Sequence, residues 1–142
     1  MEDRYLFRGK RIDNGEWVQG ALFNGESHCI IGQEIKFSPY TEHECKIVGY
    51  EVGRDTICQC TGLKDKNGKL IWENDVVAYW DTYSTENGYA EADCIGKVVW
   101  DDETISFQVT NRLSAESWEV LDDECSVVGN AIDNPELLEV GE

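Results

Sequence analysis

Six cysteines and two histidines are the residues of this chain that could bind a metal or act as nucleophiles. The pairs His28-Cys29 and His43-x-Cys45 together offer two imidazoles and two thiols, the donor composition of a structural zinc site. Such sites usually also contain two cysteines with two to four residues between them, and no pair here has that spacing. Cys58 and Cys60 alternate, so in a strand both face one side as small apolar fillers. The sequence therefore predicts no metal and no cofactor.

No catalytic residue can be assigned from these side chains. The thiols lie in no recognisable nucleophile signature, and their acidic surroundings would raise a thiol pKa. Gly62–Lys69 is similar to a phosphate-binding loop, but it is one residue too long, and Leu70 replaces the Ser or Thr that holds magnesium. The acidic triplets 101–103 and 122–124 lack the ligand pattern of a calcium loop and are predicted to be solvated turns. We therefore expect no enzyme; a small metal-binding protein or enzyme is the weaker alternative.

Aromatic side chains are the more suggestive feature of the second half of the chain. Tyr79 and Trp80 are neighbours, so in a strand one faces the core and the other the surface. Trp and Tyr are favoured anchors of protein interfaces. The sequence therefore predicts a protein interface at Trp80, Tyr83 and Tyr89, in or beside the polar segment 81–93. The alternative is that other segments cover these side chains and that they belong to the core.

The charge of the chain argues against one class of partner. Twelve Lys and Arg stand against 29 Asp and Glu, a net charge of −17. Nucleic-acid binders gain most of their affinity from cations that displace phosphate counterions. The only dense group of cations here is Arg4, Arg8, Lys10 and Arg11, so we expect no binding of nucleic acid. Such acidity keeps a small protein soluble, and it also fits an acidic nucleic-acid mimic that inhibits a nucleic-acid-binding host protein.

The first residues and the apolar runs bear on the compartment. Met1–Tyr5 is charged and lacks the apolar stretch of a secretory signal. No run approaches the ~20 apolar residues that span a membrane. Without an oxidising compartment, the cysteines stay reduced and pack as small apolar side chains. We expect a cytoplasmic protein with no membrane association and no disulfide.

Short apolar segments separated by glycine-rich polar breaks predict an all-β protein. In the first third the candidate strands are 5–7, 17–18, 21–23, 29–31, 35–37 and 47–50. Later candidates are 70–72, 75–80, 95–100, 105–109 and 126–132. Two alternatives stay open after these, a helical turn over 114–118 or a strand over 118–121. The polar segment 81–93 is predicted to be a loop, and loops of that length are often functional. Asn134-Pro135 predicts the start of a short C-terminal helix.

The dipeptide Asn67-Gly68 predicts a tight structural turn. Both residues tolerate the positive φ that a primed hairpin turn requires, and apolar segments flank them. A second polar break at 73–75 follows after only a short strand. Two reversals around so short a strand favour a small, strongly bent barrel over an open sheet.

The same stretch resembles the YopX family of phage and prophage proteins. The resemblance is carried by Thr56, Thr61-Gly62-Leu63, Asp65, Asn67-Gly68, Ile71 and Asp75, together with 7–10 and 15–20 near the start and 128–132 and 134–138 near the end. It implies an SH3-like β-barrel and an origin in a phage or prophage. It supplies no activity and no catalytic or ligand-binding residue. Cys60 stands where the family usually has an apolar residue, which supports a packing role for this thiol.

The sequence thus predicts an all-β protein in two parts. Residues 1–55 form an N-terminal β segment that packs on an SH3-like small barrel over 56–142, and the barrel ends in a short C-terminal helical turn. The predicted function is a phage- or prophage-encoded, non-enzymatic protein-interaction module in the cytoplasm of a bacterial host. Its partner is another protein, and a homo-oligomer is compatible with the sequence.

Overall fold

The computed structural model describes residues 2–36, 45–111, 117–119 and 124–139. Only the backbone is described at residue 2 and, within strands, at 81–85, 89–93, 111 and 117–119. The chain is mostly β, as predicted, and it divides into two compact units, Met1–Cys60 and Thr61–Glu142. No described helix has the length and the hydropathy to cross a lipid bilayer. The packing of residues 1–55 on a barrel stays a prediction.

The first unit contains four strands and the beginning of a fifth. They are β1 (Phe7–Lys10), β2 (Trp17–Asn24), β3 (Cys29–Lys36), β4 (Cys45–Val52) and β5 (Cys58–Lys64). All pair antiparallel, in the order β4-β3-β2-β1-β5. Short 3₁₀ helices, Glu2–Tyr5 and Arg54–Thr56, precede β1 and β5. β2 and β3 are longer than predicted, because polar residues on the solvent side of a strand do not interrupt its pairing.

The core of the first unit lies on one face of these strands. Cys29, Ile31 and Val52 are buried there. The partly buried residues that pack against them are Phe7, Val18, Leu22 and Ile57. Because successive residues of a strand point to opposite sides, the residues between them in sequence form the other face of the sheet.

The second unit contains the remaining strands. They are β6 (Leu70–Trp72), β7 (Asp75–Thr85), β8 (Gly88–Asp101), β9 (Ser106–Asn111), β10 (Ser117–Glu119) and β11 (Ser126–Asn130). Five of them form an antiparallel sheet in the order β10-β9-β8-β7-β11. The buried core residues are Ile71, Val77, Tyr79, Val98, Val109 and Cys125.

The SH3-like barrel is not confirmed, because the described strands form two open antiparallel sheets. Both predicted reversals around Leu70–Trp72 are present. However, β6 pairs with the C-terminal part of β5, whereas β7 belongs to the five-stranded sheet. The short strand between two turns therefore moves the chain from one sheet to the other. A bend of this kind looks the same in sequence whether it closes a barrel or changes sheets.

The predicted loop over 81–93 is wrong, because β7 and β8 continue through it as a hairpin. Their register runs without a break from Val76↔Lys97 to Thr85↔Gly88, and Glu86-Asn87 forms the turn. The segment has few aliphatic residues, and alternation of apolar residues marks only strands with a buried face. Its Thr and Tyr residues favour strands, and Asn87-Gly88 is the turn signal that could have revealed the hairpin.

The C-terminal helical turn is confirmed as a 3₁₀ helix, Pro135–Leu138. Asn134 precedes it, but the side chain of Asn134 does not cap the helix. Its Oδ1 instead accepts the N–H of Asn130 at 3.2 Å, and its backbone carbonyl accepts the N–H of Leu137 at 3.1 Å. Asn134 therefore fixes the bend between β11 and the helix.

The turn at Asn67-Gly68 forms, but it is not of the primed type. Gly68 has φ of +81°, whereas Asn67 is not among the described residues with positive φ. The Gly68 N–H donates to the Asp65 carbonyl at 3.0 Å, and the Asp65 N–H donates to the Lys69 carbonyl at 2.8 Å. This is a three-residue loop with a type I turn followed by a left-handed glycine. The Asp65 carboxylate favours it, since it accepts the N–H of Asn67 at 2.9 Å.

Replacing Gly68 by Ala should lower the free energy of unfolding by about 1 kcal/mol, because Ala is strained at positive φ. A Cβ at this position would meet no atom within 4 Å, so the backbone conformation alone causes the loss. Urea denaturation monitored by Trp fluorescence measures it. Gly68→Asn is the control and should lose less, since Asn tolerates the left-handed region. An unchanged midpoint for Gly68→Ala would argue against a left-handed residue here.

Ile105 has a strained backbone conformation, in the turn between β8 and β9. It has φ of +54° and is 74% exposed. A left-handed conformation costs an L-residue roughly 1–2 kcal/mol, and β-branched residues adopt it rarely. Ile105→Asn should therefore raise the free energy of unfolding by about 1 kcal/mol. Ile105→Val, which keeps the β-branch, should leave it unchanged; a loss of stability in Ile105→Asn would contradict the strain.

Candidate functional site

The aromatic pair on β7 is divided between the core and the surface. Tyr79 is buried against Val77 and Val98 in the core of the second unit. Trp80 is 56% exposed, and its backbone pairs with Asp93 of β8. The alternation of side chains along a strand accounts for this division. It leaves a large aromatic side chain in contact with solvent on a regular, paired strand.

Tyr83 and Tyr89, the other two predicted interface residues, lie on the same hairpin as Trp80. Tyr83 pairs with Ala90, and Tyr89 pairs with Ser84. In this register, the positions of Trp80 and Tyr89 fall on one face of the hairpin backbone and that of Tyr83 on the other. The side chains of both tyrosines lie outside the described residues. The assignment of all three residues to an interface stays a prediction.

The end of this hairpin extends beyond the neighbouring strands. β11 pairs with β7 over 75–78, and β9 pairs with β8 over 96–101. Among the described strands, residues 81–85 and 89–93 pair only with each other. The sequence 70–96 contains no Lys or Arg, and its carboxylate residues are Glu73, Asp75, Asp81, Glu86, Glu91 and Asp93. The hairpin is therefore a two-stranded ribbon that is rich in acidic and aromatic residues.

Asp65 is a buried carboxylate that joins the Gly68 turn to β11. Its Oδ1 accepts the N–H groups of Asn67 and Lys69, each at 2.9 Å, and its Oδ2 accepts the N–H of Val127 at 2.9 Å. Burial by itself raises the pKa of this carboxyl group, but the three N–H donors stabilise the ionised form and hold the pKa of Asp65 below its usual value. The three hydrogen bonds of its carboxylate all come from backbone N–H groups, so its role is structural.

Two other polar side chains hold the short strand β6 in the same way. The Thr61 hydroxyl donates to the Ile71 carbonyl at 2.7 Å and accepts the Leu63 N–H at 3.1 Å. Asp75 is buried, and its Oδ2 accepts the Trp72 N–H at 2.8 Å across the turn that follows β6. These bonds replace the backbone pairing that is lost at sharp turns.

A family model described as YopX protein matches residues 6–139, nearly the whole chain. The chain belongs to the YopX family. The YopX signature residues Asp65 and Asp75 therefore hold turns in this structure, and Thr61 joins β5 to β6. Thr56 does the same in the first unit, where its hydroxyl accepts the Lys10 N–H at 2.8 Å and donates to the Gly53 carbonyl at 2.6 Å. The resemblance in sequence thus rests on residues with architectural roles.

One solved structure similar to this YopX-family chain is the crystal structure of protein EF1440 from Enterococcus faecalis. The two share 28% sequence identity over 94% of this chain and 96% of that chain, with a TM-score of 0.49. No curated protein matches the chain.

The cysteines and histidines of this YopX-family chain do not gather into a metal site in the part that is described. Among the described residues, no group of three or more His, Cys, Asp or Glu is placed to hold a metal ion. Cys29, Cys58 and Cys60 are buried, which agrees with the packing role predicted for the alternating pair. Cys45 is exposed, and its bond to the Glu34 carboxylate raises the pKa of its thiol, which disfavours the nucleophilic thiolate. His43 lies outside the described residues.

The acidic triplet at 101–103 forms the predicted turn, between β8 and β9. The Asp101 carboxylate accepts the Glu103 N–H and the Thr104 hydroxyl, each at 3.0 Å. The Asp102 carboxylate accepts the Trp100 indole N–H at 2.8 Å. Local hydrogen bonds of the turn therefore occupy two of the three carboxylates. Of the second triplet, 122 and 123 lie outside the described residues.

Proposed function

We propose that this protein is a phage- or prophage-encoded, non-enzymatic protein-interaction module that acts in the cytoplasm of a bacterial host. The β7–β8 hairpin is its contact element, and Trp80 is the anchor. The observation that carries the proposal is the exposure of the Trp80 side chain, 56%, on a regular strand whose preceding residue, Tyr79, is buried. A large, rigid aromatic side chain loses little conformational entropy on binding and fills pockets of a partner well.

The distribution of charge indicates the chemistry of the partner. Seven Lys and Arg stand against ten Asp and Glu in Met1–Cys60, a net charge of −3, and five stand against nineteen in Thr61–Glu142, a net charge of −14. The hairpin belongs to the strongly acidic unit. A partner with a basic rim around an apolar pocket is therefore complementary to it.

The same charge distribution favours a second candidate, the acidic nucleic-acid mimic. In that function the negative charge of the second unit would bind it in the nucleic-acid groove of a host protein. The two candidates differ in their dependence on salt. A complex held by many charge contacts weakens steeply as salt rises, whereas a complex anchored by an aromatic residue in an apolar pocket survives moderate salt.

The test begins with capture of a partner from host lysate, followed by affinity measurements across salt with purified components. Trp80→Ala should weaken binding by about 2 kcal/mol, roughly thirtyfold, because it removes the anchor. The stability of the fold should change by about 1 kcal/mol or less, since the side chain is largely in solvent. Val128→Ala is the matched control, since Val128 is also exposed in the second unit but lies on β11.

Two outcomes would contradict the interaction module. If the affinity falls steeply with salt and is unchanged by Trp80→Ala, charge holds the complex together. The protein then acts as a nucleic-acid mimic. If Trp80→Ala unfolds the protein, Trp80 is part of the core and not an interface residue. Unfolding midpoints of both variants, measured beside the affinities, separate these outcomes from a true loss of binding.

A further inference from the structure

The β7–β8 hairpin carries two aromatic and two acidic residues on one of its faces. Trp80 pairs directly with Asp93, and Thr82 pairs with Glu91. Because directly paired residues share a side of a sheet, and alternate residues of a strand do so too, the positions of Trp80, Asp93 and Glu91 lie on one face. Tyr89, two residues before Glu91 on β8, falls on the same face. We call the side of the hairpin that carries these residues the ribbon face.

The sheet that contains this hairpin has little positive charge of its own. Lys97 is the one Lys or Arg in its five strands, β7 to β11. It lies on the same side of β8 as Asp93, but four residues further along, a distance of about 13 Å. The C-terminal 3₁₀ helix, which packs against β8, has Glu136 as its charged residue. Arg112, which follows β9, lies outside the described residues. The described strands and helix therefore supply no cation to the centre of the ribbon face.

The first unit shows how the same two kinds of side chain hold a guanidinium group. The Arg11 guanidinium lies 4.6 Å from the centre of the Tyr50 ring. It also donates two hydrogen bonds to the Asp13 carboxylate, from Nε to Oδ1 at 3.0 Å and from Nη2 to Oδ2 at 2.6 Å. The Arg8 guanidinium likewise lies 4.8 Å from the centre of the Trp17 ring. In this chain, an aromatic ring and a carboxylate together hold one arginine.

We infer that the ribbon face binds an extended, arginine-bearing segment of a protein partner. A guanidinium of the partner stacks on the Trp80 ring, which is 56% exposed, and bonds the carboxylate of Asp93, the residue opposite. Glu91 and Tyr89 follow Asp93 at two-residue steps of about 6.8 Å, which is also the spacing of alternate residues in an extended segment. Arg suits this face better than Lys, because its planar group stacks on a ring while it bonds a carboxylate. The inference rests on the proposed function, since it names the chemistry that the same hairpin recognises.

Titration of the full chain with a labelled peptide tests the inference. The probe is a short peptide in which Arg and Thr alternate, and the comparison peptide carries citrulline, the uncharged analogue of Arg, at the same positions. Fluorescence anisotropy at physiological ionic strength should show about tenfold or more tighter binding of the Arg peptide.

Three kinds of variant locate the contact on the ribbon face. Trp80→Leu keeps an apolar side chain but removes the ring, and it should weaken binding of the Arg peptide by about threefold, whereas Trp80→Phe should weaken it less. Asp93→Asn should also weaken it by about threefold. Glu91→Gln should act in the same direction and covers the case in which Asp93→Asn does not fold.

Glu103→Gln is the matched control, since it removes one charge from the exposed turn between β8 and β9 of the same sheet. Both this variant and Arg112→Gln should leave the affinity for the Arg peptide unchanged. Equal losses in Glu103→Gln and Asp93→Asn would mean that net charge alone attracts the peptide, and they would overturn the inference. A gain in Arg112→Gln would overturn it too, because an arginine of this chain would then occupy the ribbon face. So would equal affinities for the Arg and citrulline peptides.

The partner captured from host lysate separates this inference from the proposed function. If Trp80→Ala weakens binding of the captured partner but the peptides show no preference for arginine, the inference alone fails. If the affinity of the captured partner is unchanged by Trp80→Ala, the proposed function fails, whatever the peptides show.

Discussion

Replacing Asp65 by Ala is expected to lower the free energy of unfolding by about 4 kcal/mol. The carboxylate accepts three backbone N–H groups, from Asn67, Lys69 and Val127, each at 2.9 Å. Hydrogen bonds to a charged group contribute about 1.5–3 kcal/mol each, and part of the loss is recovered where water reaches the freed donors. Chemical denaturation at neutral pH measures the effect. A loss below about 1 kcal/mol would show that water replaces the carboxylate at all three donors.

The pH dependence of the free energy of unfolding separates the effect of the Asp65 charge from that of its hydrogen-bonding geometry. Its pKa is lower in the folded than in the unfolded chain, so the ionised group stabilises the fold at pH values above its unfolded pKa, about 3.9. This stabilisation is lost as the pH falls through the folded pKa. Asp65→Asn keeps an acceptor oxygen but no charge, and it should be intermediate in stability at neutral pH. Its deficit relative to the wild type should shrink below about pH 4; a constant deficit would contradict an ionised Asp65.

Gly96→Ala is expected to lower the free energy of unfolding by about 3 kcal/mol or more. Gly96 is buried in β8, between Val77 of β7 and Asn111 of β9. A Cβ there would overlap the carbonyl oxygen of Thr110 and lie 2.5 Å from Val109 Cγ1. Since the obstacle is the backbone of the paired strand, a change of side-chain rotamer cannot relieve it. Thermal denaturation should show a large fall in the midpoint.

Gly53→Ala is the matched control for Gly96→Ala. Gly53 has φ of −68° and ψ of 130°, which Ala adopts readily, and a Cβ there would only reach Thr56 Cγ2 at 3.6 Å. We expect its stability to stay within about 0.5 kcal/mol of the wild type. If Gly96→Ala were equally neutral, β8 and β9 would have to be separated further than the structure shows.

These positions explain why the family signature says little about function. Asp65 and Asp75 accept hydrogen bonds from the backbone at turns, where strand pairing cannot satisfy those groups, and the Thr61 hydroxyl donates to the backbone of β6. Their side chains are therefore required by the architecture. The surface that carries the proposed function, around Trp80 on the hairpin, lies outside this signature. Interaction residues are replaced with less effect on folding, since they are exposed.

The sequence by itself determined the features that depend on neighbouring residues. The all-β class follows from short apolar segments between turns, and the left-handed conformation of Gly68 follows from a dipeptide that tolerates it. The division of Tyr79 and Trp80 between core and surface follows from the alternation of side chains between the two faces of a strand. Pro135 likewise begins its short helix because its ring restricts φ.

Only the tertiary structure decided which strands pair, because pairing joins residues that are distant in the chain. The segment 81–93 forms two strands that pair with each other, although it has few aliphatic residues. The turn at Gly68 differs from the predicted type because the Asp65 side chain bonds within it, and the same carboxylate reaches Val127. The chain passes between two sheets at β6 where a barrel was predicted, since a sharp bend does not specify the next partner strand.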